Sequence, residues 1–315
     1  MLKAPRLLLI LSAFILSLSG CGIFPDFARD NQIHLFSLGN ASFISPAKLK
    51  VAVIPFIDEV GLGAAEAGSN MARLVTEEFS RSGDLIMVPA AEVAAAFARR
   101  GYAHPLTTET ITRLGRDLNV NVIIDGAISQ MESHAQRKGW RKVIRYFTSQ
   151  QRYVEAMLLV TAYDASNGVV LASRANSATY RVGKDRRDPF DTSLETPPPP
   201  QEAIEESLDM AIEEAYYRVI DGLAALPFKA PITELLPENK VAIPFGTEVD
   251  LSPETEFVYL PVQEVLTNAI NVSYKIPGAP KAHLKVAEVS EGRSILDIVD
   301  GEVKPGEFIV SWDHD

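Results

Sequence analysis

The sequence is almost without cysteine. Its 315 residues contain one, Cys21, so no disulfide can form within the chain, and the hydrophobic core alone must support the fold. Histidine is also sparse, and none of the five has a second ligand at a metal-binding spacing. These histidines are His34, His104, His134, His283 and His314. We therefore predict that the protein holds no metal and needs no cofactor.

A grouping of catalytic residues is also missing. Asp58 and Glu59 could form an acid/base pair, but no nucleophile or histidine lies near them in the sequence, and helix-capping charge explains them better. Gly61 and Gly63 stand where a dinucleotide-binding motif would begin, but Glu66 occupies the position of its third glycine. The two glycines therefore predict a tight turn. We predict that the protein is not an enzyme.

Long apolar runs are confined to the N-terminus. The run from Leu7 to Leu18 follows the basic residues Lys3 and Arg6 and is too short to span the ~30 Å hydrocarbon core of a bilayer. A short apolar run behind a basic start is typical of a secretory signal peptide. Since no other segment reaches the length of a membrane span, the sequence predicts no transmembrane helix.

The end of this run resembles the lipobox of bacterial lipoproteins. It reads Leu18-Ser19-Gly20-Cys21, and the resemblance implies cleavage before Cys21 and acylation of its thiol by fatty acids such as palmitate. Gly22 stands where the family places an aspartate for retention at the inner membrane, so the resemblance implies a lipid-anchored outer-membrane protein with its body in the periplasm. A chance core cysteine and a reactive thiol are the alternatives, and neither explains this position.

The charge balance is acidic. Removing Lys3 and Arg6 from the 30 basic side chains leaves 28 against 41 acidic ones, which gives the mature chain a net charge of −13. A generally acidic body is repelled by nucleic acid and by anionic lipid. We therefore predict no nucleic-acid partner.

The pattern along the chain predicts five segments. Residues 1–20 form the signal peptide and residues 21–47 a tether. Residues 48–226 alternate apolar runs with amphipathic stretches, which predicts an α/β domain with a mixed sheet. Its hairpin turn is predicted at Asn167-Gly168, between strands over 154–163 and 169–180, and 185–201 is predicted to be a loop. Prolines mark a linker at 227–237, and short strands with glycine turns predict a small all-β module at 238–315.

The α/β domain resembles the CsgG-like periplasmic domain, which is related to the N-terminal domain of TolB, the middle domain of FlgT and the activator LpoB. The matching stretches are Lys50–Phe56, the turn at Asp58 and Gly61, Leu114–Gly126, and Ala162–Asp164 with Gly168–Leu171. The resemblance covers about residues 48–226 and implies a mixed sheet flanked by helices. The superfamily is functionally mixed, so the fold alone does not name a task.

CsgG-like secretion channels place membrane-spanning hairpins in two insertions, which correspond here to residues 131–154 and 175–201. In a strand that faces lipid, the alternate residues on one face must be apolar and uncharged. In the first insertion the alternate residues of both faces include charged ones. Arg137, Arg141 and Arg145 lie at odd positions, and Lys138, Lys142 and Arg152 lie at even positions. The sequence therefore disfavours a channel, which we keep as an alternative.

One segment contrasts with the acidic chain. It carries six basic residues interleaved with aromatic ones, and no acid lies between Glu132 and Glu155. Its residues are Arg137, Lys138, Trp140, Arg141, Lys142, Arg145, Tyr146 and Arg152. Arginine and aromatic side chains often anchor protein interfaces. This basic segment is therefore a candidate docking patch for an envelope protein or an acidic surface polymer, and a solvated loop is the alternative.

Together these features predict an outer-membrane lipoprotein that acts as a non-enzymatic scaffold in the assembly or export of a cell-surface structure. A CsgG-like oligomeric secretion channel is one alternative. A FlgT-like component of the flagellar basal body and a LpoB-like activator of a peptidoglycan synthase are others. The sequence leaves the oligomeric state open, and a homo-oligomer is compatible with it.

Overall fold

The computed structural model describes residues 47–61, 66–136, 150–185, 200–224, 226–267 and 273–312. The predicted signal peptide and nearly all of the predicted tether, including Cys21, lie outside these ranges. Residues 41–315 form one compact unit.

The first part of the unit is a mixed sheet with helices. In chain order its elements are β1 (Leu49–Val53), β2 (Ile57–Asp58), α1 (Ala67–Arg81), β3 (Leu85–Met87), α2 (Ala90–Arg99), α3 (Thr108–Leu118), β4 (Val122–Gln136), β5 (Gln150–Asp164), β6 (Val170–Asp185) and α4 (Gln201–Leu223). The strand order is β3-β1-β4-β5-β6, and β2 also pairs with β4. Strand β1 is parallel to β3 and β4, whereas β4, β5 and β6 are antiparallel.

Helices cover both faces of the parallel strands. Val51 and Val53 belong to the cluster formed with α1 and α4, whereas Ala52 and Ile54 belong to the cluster formed with α2 and α3. Successive side chains of a strand point to opposite faces, so a strand buried on both faces reads as a continuous apolar run. The nearly continuous apolar run from Val51 to Phe56 has this cause.

The predicted hairpin is confirmed. Strands β5 and β6 pair along their length, and Gly168 at the turn has a φ of +71°, which favours glycine. Asp164 stabilises the turn by accepting hydrogen bonds from the amide and hydroxyl of Ser166 and from the Asn167 side chain.

The two strands of the hairpin are longer than predicted, and β4 is of similar length. Strand β4 continues to Gln136, β5 begins at Gln150, and β6 continues to Asp185, the first residue of the predicted loop. The extra residues are held by backbone pairing, as between Gln136 and Gln151. Because sequence patterns detect burial, they missed these ends.

The second part is a seven-stranded antiparallel sheet with a separate two-stranded one. The strands are β7 (Lys229–Pro231), β8 (Glu234–Leu236), β9 (Lys240–Ile243), β10 (Glu256–Tyr259), β11 (Val262–Thr267), β12 (Ser273–Pro277), β13 (Ala282–Ser290), β14 (Arg293–Gly301) and β15 (Phe308–Trp312). The large sheet has the order β7-β15-β10-β13-β14-β9-β8, and β11 pairs with β12. The predicted fold class, a mixed sheet with helices followed by an all-β module, is confirmed.

The segment 227–237 is not simply a linker. It contains β7 and β8, which pair with β15 and β9. Pro231 is tolerated because β7 is an edge strand, where a residue without an amide hydrogen disrupts no ladder on its free side.

The two sheets share one core and a polar anchor. Phe228 and Ala230 lie in the same apolar cluster as Val219 and Leu223 of α4. Beside them, the Lys229 ammonium lies 2.5 Å from the buried Asp164 carboxylate. The side-chain nitrogen of Asn121 donates a hydrogen bond to the backbone carbonyl oxygen of Lys229. The side-chain oxygen of Asn121 accepts a hydrogen bond from the backbone amide of Lys50. Strand β7 is thereby fixed to the first sheet.

Candidate functional site

The strands β4, β5 and β6 form a ribbon with two different halves. We call residues 122–131, 156–164 and 170–178 the inner ribbon, and residues 132–136, 150–155 and 179–185 the outer ribbon. Helix α4 packs on β5 and β6. The inner ribbon buries alternate apolar side chains such as Leu158 and Val160, whereas in the outer ribbon Val154 alone is buried among the described side chains.

The outer ribbon holds both ends of the predicted basic segment. Strand β4 ends at Gln136 and β5 begins at Gln150, while Gln136 pairs with Gln151. The predicted docking residues Arg137, Lys138, Trp140, Arg141, Lys142, Arg145 and Tyr146 lie between these strand ends, outside the described residues. Arg152 is described: it lies half-buried on β5, opposite Ala135 of β4 and Gly183 of β6.

The register of the ribbon adds basic residues of β6 to the same end of the sheet. Arg181 is exposed and lies opposite Tyr153, and Lys184 lies opposite Gln151. Sequence reasoning did not assign these residues to the docking patch. Counting outward from the Asn167-Gly168 turn places them near this end of the sheet, but two register shifts in the β5–β6 pair each change the partner by one residue.

One face of the inner ribbon lies opposite the face covered by α4. Leu159 is 40% exposed on this open face, whereas the adjacent Leu158 is fully buried on the face that α4 covers. Cross-strand neighbours on this open face are small: Ala175 lies opposite Leu159, and Ser173 lies opposite Thr161, with the two hydroxyls 2.9 Å apart.

A polar cluster borders this open face. His104, in the loop 100–107 between α2 and α3, lies with its Nε2 2.9 Å from the carbonyl oxygen of Pro55 and its Nδ1 3.5 Å from the Asp125 carboxyl. The Phe97 ring contacts both His104 and Tyr102, with centroids 5.6 and 5.9 Å away. His104 and Asp125 are distant in the sequence and no short motif joins them, so their contact has no signal in the sequence.

The charges of this cluster follow from its burial. Burial raises the pKa of the Asp125 carboxyl, while His104 and the Gly126 amide act in the lowering direction. Burial also raises the pKa of Tyr163, and the nearby Asp125 carboxylate raises it further. The Nε2 atom of His104 is occupied by Pro55, and neither hydroxyl nor thiol of a nucleophile contacts the ring among the contacts of the described residues.

The other sequence candidates are placed as follows. Asp58 accepts a hydrogen bond from the Gly61 amide, and Gly61 has a φ of +69°, so this part of the predicted turn is confirmed. Helix α1 has no side-chain cap at its N-cap residue Glu66 and no acid in its first turn. The expectation that Asp58 and Glu59 supply helix-capping charge stays a prediction. Within the described ranges, no three acidic, histidine or cysteine side chains group closely enough to hold a metal ion. No helix in the described part of the chain is long and apolar enough to cross a membrane.

Comparison with known proteins gives distant structural neighbours. No family model matches the chain, and no curated protein matches it. Among solved structures, lipoprotein GNA1162 from Neisseria meningitidis is 14% identical, with 42% of this chain and 84% of that chain covered and a TM-score of 0.32. The PelC dodecamer from Paraburkholderia phytofirmans is 16% identical, covering 58% and 91%, with a TM-score of 0.29.

The C-terminal domain of LpoB from Salmonella enterica is a further neighbour, with 11% identity, 43% and 86% coverage and a TM-score of 0.27. At these TM-scores none of the likenesses carries an argument about this chain. The CsgG-like resemblance therefore stays a prediction from the sequence.

Proposed function

We propose that the protein is an envelope lipoprotein, anchored at the outer membrane through Cys21, that acts as a non-enzymatic scaffold for the assembly or export of a cell-surface structure. The lipobox-like end of the N-terminal run supports the anchor. The outer ribbon supports the scaffold role, and it is the observation that carries the proposal.

The outer ribbon is suited to docking because it is a paired, helix-free extension of a rigid sheet. Strand β5 pairs with β4 on one side and with β6 on the other throughout the outer ribbon, so backbone hydrogen bonds hold this part of the sheet together. The exposed Arg181 and the strand ends that flank the basic segment lie at one end of this extension. On a chain of net charge −11, clustered basic side chains favour an acidic partner surface.

Charge reversal tests the docking role. The triple variant Arg137→Glu, Arg141→Glu and Arg145→Glu is compared with a control triple of equal charge change at exposed positions elsewhere, Arg99→Glu, Lys281→Glu and Lys304→Glu. Each protein is purified from membranes after cross-linking. We expect the wild type and the control to recover the same envelope partner and the ribbon variant to recover at least about tenfold less, which corresponds to about 1.4 kcal/mol of binding free energy.

Equal recovery of the partner by all three proteins, or recovery of none, would remove the basis of the scaffold proposal. Two further assays separate the alternatives. Ion conduction by the detergent-extracted protein in a planar bilayer would favour a CsgG-like channel, and stimulation of a purified peptidoglycan synthase would favour a LpoB-like activator.

A further inference from the structure

Strand β6 is an edge of the first sheet. It lies at the end of the strand order β3-β1-β4-β5-β6, and no other strand of the described residues pairs with its outer side. The strand at the opposite edge, β3, is three residues long, whereas β6 extends over 16 residues without a proline. A long exposed edge pairs readily with another strand, which is why natural sheets protect their edges with short strands, prolines and charges.

The neighbouring strands show which backbone groups of β6 lie on this edge. The Ser129 hydroxyl of β4 donates a hydrogen bond to the Met157 carbonyl oxygen of β5 over 3.3 Å, so the backbone of Met157 faces β4. Met157 lies opposite Ser177 of β6. In an antiparallel pair, the backbone groups of opposing residues point either toward each other or both away. The amide and carbonyl of Ser177 therefore point outward, away from β5.

The outward groups of β6 form a regular row. The register between β5 and β6 is uninterrupted from Ala172 to Arg181 and shifts just beyond each end of this run. Because the backbone direction alternates along a strand, every second residue of the run points outward as Ser177 does. We call these residues the outward row: Ser173, Ala175, Ser177, Thr179 and Arg181. Their side chains are exposed and the first four are small, so they leave the backbone of the row accessible.

The outward row has few partners within the chain. Among the backbone hydrogen bonds of the described residues, none joins the row to a segment other than β5. The Ser173 carbonyl oxygen accepts a hydrogen bond from the Arg174 guanidinium over 3.0 Å and has a second lone pair for another donor. Alternating amides and carbonyls along an extended edge are matched by one kind of partner, which is another extended strand.

We propose that β6 pairs with β6 of a second copy of the protein, antiparallel and about a two-fold axis at Ser177. The outward row is symmetrical about this residue, so Ser177 lies opposite the partner's Ser177. Ala175 then lies opposite the partner's Thr179, and Ser173 lies opposite the partner's Arg181. A row of this length forms about ten backbone hydrogen bonds. Because the same strand supplies both halves, the contact closes as a dimer and leaves neither β6 edge open.

The side-chain charges of β6 favour this register. It places Arg174 opposite the partner's Tyr180, and an arginine beside an aromatic ring is a favourable pair. An axis at Arg174 or Arg181 would put that arginine opposite its own copy, and like charges directly opposite each other destabilise a sheet. An axis at any other position pairs fewer residues of the outward row. The register centred on Ser177 therefore combines the longest overlap with no opposed charges.

The rest of each copy is compatible with this pairing. Helix α4 packs on β5 as well as on β6. Since strands lie about 4.8 Å apart, the two α4 helices would lie about 10 Å apart, which is near the ordinary spacing of packed helices. Repulsion between two chains of net charge −11 opposes the dimer, and salt screens this repulsion. Dimerisation should therefore strengthen as salt is raised, whereas docking of the basic segment on an acidic partner should weaken.

Substitution at the axis tests the pairing in the full-length protein purified in detergent. Ser177→Pro removes an outward amide and leaves the hydrogen bonds to β5, and an edge strand tolerates proline. Ser177→Thr, the matched control, keeps the amide. By sedimentation velocity we expect the wild type and Ser177→Thr to dimerise equally, and Ser177→Pro to raise the Kd of the dimer at least about tenfold. A monomeric wild type, or equal dimerisation of all three proteins, would overturn the proposal.

A distance series tests the register without a proline variant. Spin labels are attached to single cysteines that replace Ser177, Ala175 or Ser173, and wild type treated with the same label corrects for any signal from Cys21. At about 3.4 Å per strand residue, the two labelled backbones of the dimer should lie about 5 Å apart at residue 177, about 14 Å apart at 175 and about 28 Å apart at 173. Separations that are not shortest at residue 177, or no separation between copies within this range, would contradict the pairing of β6 with its own copy.

Discussion

The inner and outer ribbon consist of the same three strands but differ in what holds them. In the inner ribbon, buried side chains such as Leu158 and Val160 pack under α4. In the outer ribbon, polar and charged side chains line strands that persist through backbone pairing. The difference teaches that a strand's length and its burial are separate properties. In the proposed function, the half that contributes least to the core presents the surface for a partner.

The largest effect is expected in the inner ribbon. Leu158→Ala should lower the free energy of unfolding by about 2–5 kcal/mol, because the fully buried side chain leaves a cavity. Leu159→Ala removes the same atoms at the adjacent position, where the side chain is 40% exposed, and should cost less than about 1 kcal/mol. Urea unfolding of both variants measures the difference. Equal losses of unfolding free energy in the two variants would show that α4 does not bury one face of β5 more than the other.

An intermediate effect is expected at the inner end of β5. The Asp164 side chain accepts hydrogen bonds from Ser166 and Asn167 and lies beside the Lys229 ammonium. Asp164→Asn keeps the side-chain volume but removes the negative charge. We expect a loss of about 1–3 kcal/mol. A double-mutant cycle with Lys229→Gln measures the coupling between the two residues. Strictly additive losses would show that the ion pair does not join the two sheets.

The smallest effect on the free energy of unfolding is expected in the outer ribbon, where the substitution should stabilise the fold. Glu132 and Glu155 lie directly opposite each other on β4 and β5. Since like charges in this position repel, Glu132→Lys should raise the free energy of unfolding by about 0.2–1 kcal/mol, and Glu132→Gln by less. The urea midpoint reports both. A fall in the midpoint of the lysine variant would show that the outer strands are not paired as described.

The parts of the fold that are buried could be predicted from the sequence. The apolar run at Val51–Phe56, the Asn167-Gly168 turn and the stripe of α4 each carry a local signal of burial or backbone geometry. The outer ribbon lacks that signal, so the predicted strands over 154–163 and 169–180 end short of the observed β5 and β6. The prolines around β7 predicted a linker because an edge strand and a linker tolerate proline equally well.

Some residues of the candidate site can be predicted from the sequence, and others only from the tertiary fold. The basic segment stands out in composition, so the sequence alone could nominate it. Arg181 joins it only through strand register, and a register shift between the turn and Arg181 has no signal in the sequence. His104 and Asp125 meet because the loop after α2 crosses the end of β1 beside β4. Such a contact requires the tertiary fold, and no spacing in the chain indicates it.

The mass of the mature N-terminus tests the central claim most directly. Protein extracted from outer-membrane fractions is digested, and its N-terminal peptide is analysed by mass spectrometry. The account predicts that the peptide begins at Cys21 and carries fatty acyl groups. An intact segment 1–20, or an unmodified thiol on protein recovered from the soluble fraction, would contradict it.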